Sequence, residues 1–442
     1  MKKQIGFKNT VSIGFLLFAI FFGAGNVIFP PFLGLQAGKS LWIAIIGFII
    51  ADVGLSLLST IAVSISGENF ENMATKVSPT FASVFAILIY MMLGPLCVIP
   101  RIGAVSASLS VIPLVSGFAY AKYIAVLFIA IFFVATYILA VNSGKLLDII
   151  GKVITPALLL VILIIIAKAI ITPIGGYSAP VGDYATNPFF RGFLEGYQTL
   201  DAIGALVIAL VVISSIKQLG VTDSKDIIKI TIKSGIVASI SLGLVYFALG
   251  YLGASCGTLA GEFENGSDLL VVAMINLFGK PGLIILGIMV TLECLTTSVG
   301  LGSSFAEYFS KFFKDKKKGY KISLALLCIV SFILSNSGLP TILKVSYPAL
   351  LILYPVTITL ISLTFLDKIK YLKRSIYICA ISASFIFGVL QVCNDLNLSL
   401  GIITKLFKSI PFVSLGFGWI IPTIICSLIA TLIPCKEHVE CP

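Results

Sequence analysis

Apolar residues run along the chain in stretches of about twenty, separated by shorter polar or charged segments. A bilayer core about 30 Å thick needs roughly 20 apolar residues as helix. Stretches of that length predict twelve spans, at about 11–35, 39–63, 80–110, 121–141, 149–171, 191–214, 226–252, 281–306, 322–336, 343–366, 375–393 and 416–434. The third is long enough to tilt or extend beyond the bilayer, and the ninth is short. The stretch 253–280 is too polar to cross and predicts a surface helix.

Composition agrees with this pattern. Of 442 residues, 58% are hydrophobic and 11% charged, with a mean hydropathy of +1.11. A soluble protein carries about 25% charged residues, so this chain lacks the side chains to coat a water-facing surface. It reads as a single polytopic membrane domain, 1–442. Disorder, collagen and coiled coil are excluded. The one histidine, His438, lies near the C-terminus, against histidine catalysis or metal ligation within the membrane. Nine cysteines show no CxxC pairing and read as small apolar residues. Lys2 and Lys3 before an apolar run mimic a secretory signal, but the run continues to Phe29 and ends at Pro30–Pro31, as a retained first span does.

Charge placement sets the expected orientation. With the N-terminus inside, 21 of the 30 Lys and Arg fall in inner segments and 8 in outer ones, leaving Arg101 within a span. Both termini are therefore expected on the cytoplasmic side of the membrane. The basic run 311–321 is explained by orientation alone, and the +11 balance calls for no nucleic-acid partner.

Two spans carry residues ill-suited to an unbroken apolar helix. The first reads FFGAGNVIFPPFLG (21–34), with Gly23, Gly25, Asn26 and two prolines. The sixth reads RGFLEGYQTLDAIGAL (191–206), with Glu195, Thr199 and Asp201 among glycines. Non-helical backbone at membrane depth is tolerated only where protein or a hydrated cavity surrounds it. Glu195 can snorkel to the outer edge. Asp201 lies deeper, as a transport-path residue or a structural hydrogen-bonding one. Interrupted segments at matching positions of two halves point to a secondary transporter's site. If spans one to five (about 11–171) and six to ten (about 191–366) are repeats, each has an odd number of crossings, and the second is inverted. Spans eleven and twelve (about 375–434) are additional.

A broken helix offers two opposite electrostatic ends. Free N–H groups after the break suit a carboxylate, and free carbonyls before it suit an ammonium or small cation. Together they suit a zwitterion such as an amino acid. In the eighth span, Thr296, Thr297 and Ser298 supply hydroxyls for a hard cation, or for hydrogen bonding between helices. Glu293 lies one turn before Thr297 on the same face. It reads as a proton- or cation-coupling group, or as a static partner of Arg101. Asp52 in the second span has no supporting pattern and reads as structural.

At these motifs the chain resembles the bacterial branched-chain amino acid:cation symporters, or system II carriers. The resemblance rests on FGAGNVIFPPFLGLQAG (22–38), GPLCVIPRIGAVS (94–106), GFLEGYQTLDAIGALV (192–207), CLTTSVGL (294–301) with AEYFS (306–310), SNSGLPTILKVSYPALLILYP (335–355) and GFGWIIP (416–422). It extends from residue 10 to about 430. It implies inward transport of leucine, isoleucine and valine, with co-transported Na⁺ or H⁺ and no bound cofactor. It also implies an all-α fold of about twelve transmembrane helices: the five-plus-five inverted repeat of leucine-transporter-like members of the amino acid–polyamine–organocation superfamily, with helices one and six broken.

By the same resemblance, the N–H groups of Ala24, Gly25 and Asn26 hold the substrate carboxylate. Carbonyls near Phe22 and Gly23, with Thr199, receive the ammonium, and Asp201 is counted among the substrate-binding residues. Carbonyls around Ala19 and Phe22, with the hydroxyls of Thr297 and Ser298, bind Na⁺. An apolar pocket from spans three, six and eight takes the aliphatic side chain. Two departures stand out. The family's third span usually continues to an acidic residue, whereas 102–108 here has none, and the eighth commonly has a small residue where Glu293 stands. The expectation is that Glu293 relocates that charge within the same cavity. The remaining alternatives are a permease or exchanger of other selectivity, a channel or an intramembrane enzyme. No filter-like repeat, GxGD motif or serine–lysine pair supports the last two.

Overall fold

The computed structural model describes residues 6–67, 69–141, 155–259, 262–398 and 401–432, and every regular element among them is helical. Lys2, Lys3, Lys145, Lys152, Cys435, Lys436, His438 and Cys441 lie outside these residues, as do the start of the fifth expected span and the end of the twelfth. Nine helical stretches among the described residues are long and apolar enough to cross a bilayer. Shorter apolar helices occupy Phe7–Phe21, Leu159–Ile171 and Ile420–Leu432. The chain is a multi-pass membrane protein.

The first expected span is two helices, α1 (Phe7–Phe21) and α2 (Ala24–Ala37). Gly23 is extended, at φ −129° and ψ −170°, so the intrahelical ladder stops there. The prolines expected to help break this span instead lie inside α2. The helix survives them because it is clamped from outside. A Cβ on Gly253 would overlap the Pro31 carbonyl, and one on Gly34 would overlap that of Gly250.

The second span is α3 (Leu41–Ile49), a π-helical turn at Ile50–Gly54, and α4 (Leu55–Ile65). The wide turn carries the buried Asp52. After α5 (Phe70–Thr75), the third span was expected to be continuous and is not. It comprises α6 (Pro79–Met91), a wide turn at Met92–Leu96, and α7 (Val98–Ser110). Gly94 leaves the helix at φ −87° and ψ −116°, as a residue before proline tends to do, and Pro95 follows.

Short α8 (Ile112–Val115), α9 (Ala121–Val141), α10 (Thr155–Ile171) and α11 (Asp183–Thr186) lead to the sixth span. It divides into α12 (Pro188–Tyr197) and α13 (Asp201–Gln218). Leu200 between them adopts a left-handed conformation, φ 69°, which is unfavourable for a branched L-residue. Hydrogen bonds on both sides hold it: its N–H donates to Tyr197 O at 3.2 Å, and its carbonyl accepts from Gly204 N–H at 2.8 Å.

Then follow α14 (Ser224–Ala254) and α15 (Gly266–Ser310). The latter turns sharply at Gly279, φ 65°, so the surface helix expected within 253–280 is its first arm. The ninth span is longer than expected. As α16 (Lys316–Ser335) it begins among lysines, because the Asp315 side chain accepts from the N–H groups of Lys317 and Lys318. The remaining helices are α17 (Leu339–Ile369), α18 (Arg374–Asp395), α19 (Ile402–Lys408) and α20 (Ile420–Leu432).

Packing crosses between the halves. Both α1 and α2 lie along α14, while α12 lies along α3 and α13 along α4. α15 runs along α7, and α16 packs on α7, α9 and α15. Outward apolar residues such as Tyr123, Leu127, Ile131 and Val134 on α9 remain exposed, where acyl chains would cover them.

Candidate substrate and cation site

At the first break the hydrogen-bond ladder is rerouted. Phe22 N–H still reaches Phe18 O at 2.8 Å, but Gly23 N–H donates to Asn26 Oδ1 at 3.0 Å instead of to the Ala19 carbonyl. Asn26 N–H returns to Gly23 O at 3.0 Å. The Ala19 carbonyl and the Ala24 and Gly25 N–H groups thus lose their usual helical partners, as helix ends do. The Asn26 side chain is fully committed: its Nδ2 donates to Asp201 Oδ2 and to Tyr246 Oη.

At the sixth break the free carbonyls are already claimed. Arg101 of α7 donates from Nη1 to Gln198 O and from Nη2 to Thr199 O, the latter at 2.8 Å. This buried guanidinium also lies 5.4 Å above the Phe29 ring, a cation–π contact. A cation here satisfies the carbonyls and the negative dipole end of α12 together. Thr199 Oγ1 donates to Asp52 Oδ1 at 2.7 Å, with the Gly196 carbonyl at 2.8 Å as its alternative acceptor. Asp52 is 0% exposed, and its Oδ2 has no hydrogen-bond partner. Nearer the outer end, Glu195 is not a free, snorkelling carboxylate, because Arg191 pairs with it at 2.6 Å.

The breaks share a cavity of about 30 Å³, room for little more than water. Gly23, Ala24, Gly25 and Asn26 line one side, Arg101, Thr199 and Asp201 another, and Thr297 a third. Ile20, Phe21, Leu93, Val98, Ile102, Leu200, Ile208 and Leu301 supply the apolar wall, drawn from spans one, three, six and eight. Arg101 Nη2 stands 3.1 Å from where a Cβ on Gly25 would be. The guanidinium therefore sits beside the positive end of α2, where the Asp201 carboxyl also reaches the Asn26 amide.

Other expected site residues lie apart. The Phe22 ring stacks on Phe18 at 5.3 Å and lines a separate apolar cavity with Val27, Leu249 and Met289. Ala19 is buried behind the break, so its carbonyl is its only polar contribution. Thr297 faces Gly23 and its hydroxyl has no partner. Ser298 instead accepts from Thr136 at 3.4 Å, and Thr296 donates back to Glu293 O at 2.8 Å. Glu293 is buried with Oε1 unpartnered, and it is absent from the cavity wall. The suggested Arg101–Glu293 pair does not form: both Nη atoms of Arg101 turn to the sixth break, and its buried Nε has no partner.

Sequence reasoning gave Asp52 and Arg101 no partners at the sixth break and did not single out Tyr246, whereas the structure joins Asp52 to Thr199, Arg101 to the Gln198 and Thr199 carbonyls, and Tyr246 to Asn26. The rarity of charges inside spans marks the first two, but nothing local marks the tyrosine.

Known proteins share this sequence and architecture. A family model described as branched-chain amino acid transport protein matches residues 7–437. The branched-chain amino acid permease BraB of Bacillus subtilis is 40% identical over 430 residues, covering 97% of this chain and 96% of its own. The branched-chain amino acid transport system 2 carrier protein of Pseudomonas aeruginosa is 33% identical, covering 96% and 95%. In three dimensions the chain shares its fold with Mhp1, a nucleobase-cation-symport-1 family transporter in a closed conformation with bromovinylhydantoin bound. That match has a TM-score of 0.61 at 14% identity, over 95% of this chain and 91% of the other. By sequence along nearly its whole length, the chain belongs to the branched-chain amino acid transport protein family, whose named relatives are permeases and carriers, not enzymes.

Proposed function

We propose that this protein imports leucine, isoleucine and valine across a bacterial plasma membrane by alternating access, driven by a gradient of Na⁺ or H⁺. The observation that carries this reading is the meeting of two broken helices on one small cavity walled by aliphatic side chains. The amino acid's carboxylate lies against the Ala24 and Gly25 N–H groups, its ammonium toward Asp201 and Thr199, and its side chain against the apolar wall. Carbonyls at Phe22 and Gly23 complete the ammonium side. The Asn26 N–H takes no direct part, being turned back to Gly23. Thr297, with its unpaired hydroxyl, and the Ala19 and Phe22 carbonyls form the cation ligands nearest the first break. Ser298 and Glu293 stand behind them.

The crossed packing supports an arrangement of two inverted five-helix repeats. A first-half broken helix lies on α14, and its second-half counterpart lies on α3 and α4. Both termini are placed in the cytoplasm by the inner excess of lysine. A cavity of about 30 Å³ is too small for an amino acid, so the helices must separate to load and release one. Binding drives such a change only through different affinities for the two states. A co-transported positive charge adds about 2.3 kcal/mol of drive per 100 mV.

The test is leucine uptake into proteoliposomes under an imposed Na⁺ gradient, an H⁺ gradient or none, with other amino acids as competitors. Accumulation under one ion gradient, inhibited by isoleucine and valine, is expected. Uptake indifferent to both gradients, or inhibited instead by polar amino acids, would overturn the proposal.

A further inference from the structure

The charges buried around the cavity do not balance. Asp201 from α13 and Asp52 from the π turn share one hydrogen-bonded cluster. Thr199 donates to Asp52 Oδ1 at 2.7 Å, Asn26 donates to Asp201 Oδ2, and the same Asn26 amide donates to Tyr246 Oη. Tyr246 and Asp201 both lie at the Asp52 carboxyl. The charged or titratable groups facing the pair are Arg101 from α7, Tyr246 from α14 and Tyr354 from α17. Phenols are neutral at ordinary pH, so two carboxylates face a single permanent positive charge. That charge is held on the Gln198 and Thr199 carbonyls and makes no ion pair with either carboxylate among the described residues.

A second observation points the same way. Asp52 Oδ2 is buried without a hydrogen-bond partner although a second carboxyl and a phenol adjoin it. Two ionised carboxylates cannot donate to each other, and a buried charge left unpaired is costly. One monovalent cation between them completes both the hydrogen bonding and the charge. Carboxylate, hydroxyl and amide oxygens are all hard ligands.

We propose that Asp52 and Asp201, with Tyr246 and Thr199, form a seat for one monovalent cation, distinct from the ligands at Thr297. Na⁺ and a proton share the chemistry this seat requires, a single positive charge among oxygens. Occupancy would reach both breaks, because Thr199 belongs to the sixth and Asn26 caps the first. Filling the seat neutralises the repulsion between the carboxylates and fixes Asn26, which sets the Gly23 turn and hence the N–H groups offered to the substrate.

The inference rests on the symport reading, and its test separates the two. Leucine uptake would be measured in proteoliposomes against Na⁺ concentration and against pH for the wild type, Asp52→Asn, Tyr246→Phe and Thr297→Val. Asp52→Asn is expected to abolish the extra uptake produced by the driving ion. Tyr246→Phe, the variant to rely on if Asp52→Asn does not reach the membrane, should raise the half-saturating ion concentration about tenfold, the loss of one hydrogen bond to a charged group. The same shift should persist in a Tyr246→Phe, Thr297→Val double variant, since the two seats are separate. A response to Na⁺ identifies one occupant, and a response to pH alone identifies the other. If Asp52→Asn and Tyr246→Phe change leucine KM but keep the wild-type ion and pH dependence, the pair serves only the substrate ammonium and the inference falls. A wild type indifferent to both ions overturns the symport reading, and the inference with it.

Discussion

Arg101→Lys probes the sixth break with the smallest change of charge. Arg101 gives two forked hydrogen bonds, to the carbonyls of Gln198 and Thr199, while lying over Phe29. Lysine keeps the positive charge but ends in a point-like ammonium that does not reproduce the planar fork. One of the two contacts is lost, and a hydrogen bond involving a charged group contributes about 1.5–3 kcal/mol. At about 1.4 kcal/mol per decade, leucine uptake should fall roughly ten- to hundredfold in kcat/KM. The assay is initial-rate uptake of labelled leucine in proteoliposomes, normalised to incorporated protein. Arg101→Met should be worse, because it leaves two buried carbonyls without a donor. A lysine variant within about twofold of the wild type, well below the loss of one such bond, would refute the view that this fork holds the break in shape. Were Arg101 instead the partner of Glu293, Glu293→Gln would reproduce the defect, whereas the geometry predicts an unchanged leucine KM.

Other variants test other contacts. Asp201→Asn should raise leucine KM by roughly tenfold or more through loss of a charged ammonium partner, read from uptake saturation curves; an unchanged KM would remove Asp201 from the substrate site. Leu200→Gly relieves about 1–2 kcal/mol of left-handed strain but empties the place of a buried leucine, which costs about 2–5 kcal/mol, so thermal unfolding should shift downward as leucine KM rises; an unchanged leucine KM would remove Leu200 from the apolar wall. Gly253→Ala puts a methyl group against the Pro31 carbonyl and should destabilise by about 1–3 kcal/mol, seen as a lower unfolding temperature in detergent. Thr297→Val preserves shape and removes an unpaired hydroxyl. If Thr297 is a cation ligand, the half-saturating Na⁺ concentration rises; no shift would remove it from that role.

The sequence exposes the breaks better than their surroundings. Gly23-Ala24-Gly25-Asn26 announces the first one, because those residues neither favour an apolar helix nor tolerate lipid. Pro30 and Pro31 mislead for a tertiary reason: contact with α14 keeps α2 helical where local propensity opposes it. Conversely, Gly94–Pro95 lies in so apolar a stretch that hydropathy hides the interruption of the third span. Leu200 gives no local warning, since its left-handed backbone is imposed by bonds to Tyr197 and Gly204. Thr297 is legible as one of three neighbouring hydroxyls, but only coordinates choose it over Ser298. Arg101 misleads in another way. A cation in a membrane invites a search for a carboxylate, yet its acceptors are two peptide carbonyls that every sequence possesses. Asp52 looks isolated because its partners arrive from α13 and α14, and a π turn presents it to them.

The glycine seams between helices carry a consequence for movement. Where Gly253 meets Pro31 and Gly192 meets Ala44, main chain rests directly on main chain, with no flexible side chain between them to act as a bearing. In the proposed alternating access such welds would resist gradual creep, so α2 with α14, and α12 with α3, would swing as stiff struts. The unwound residues would then be the natural pivots. A machine jointed this way would snap between a few poses, at a pace set by how often the pivots flex.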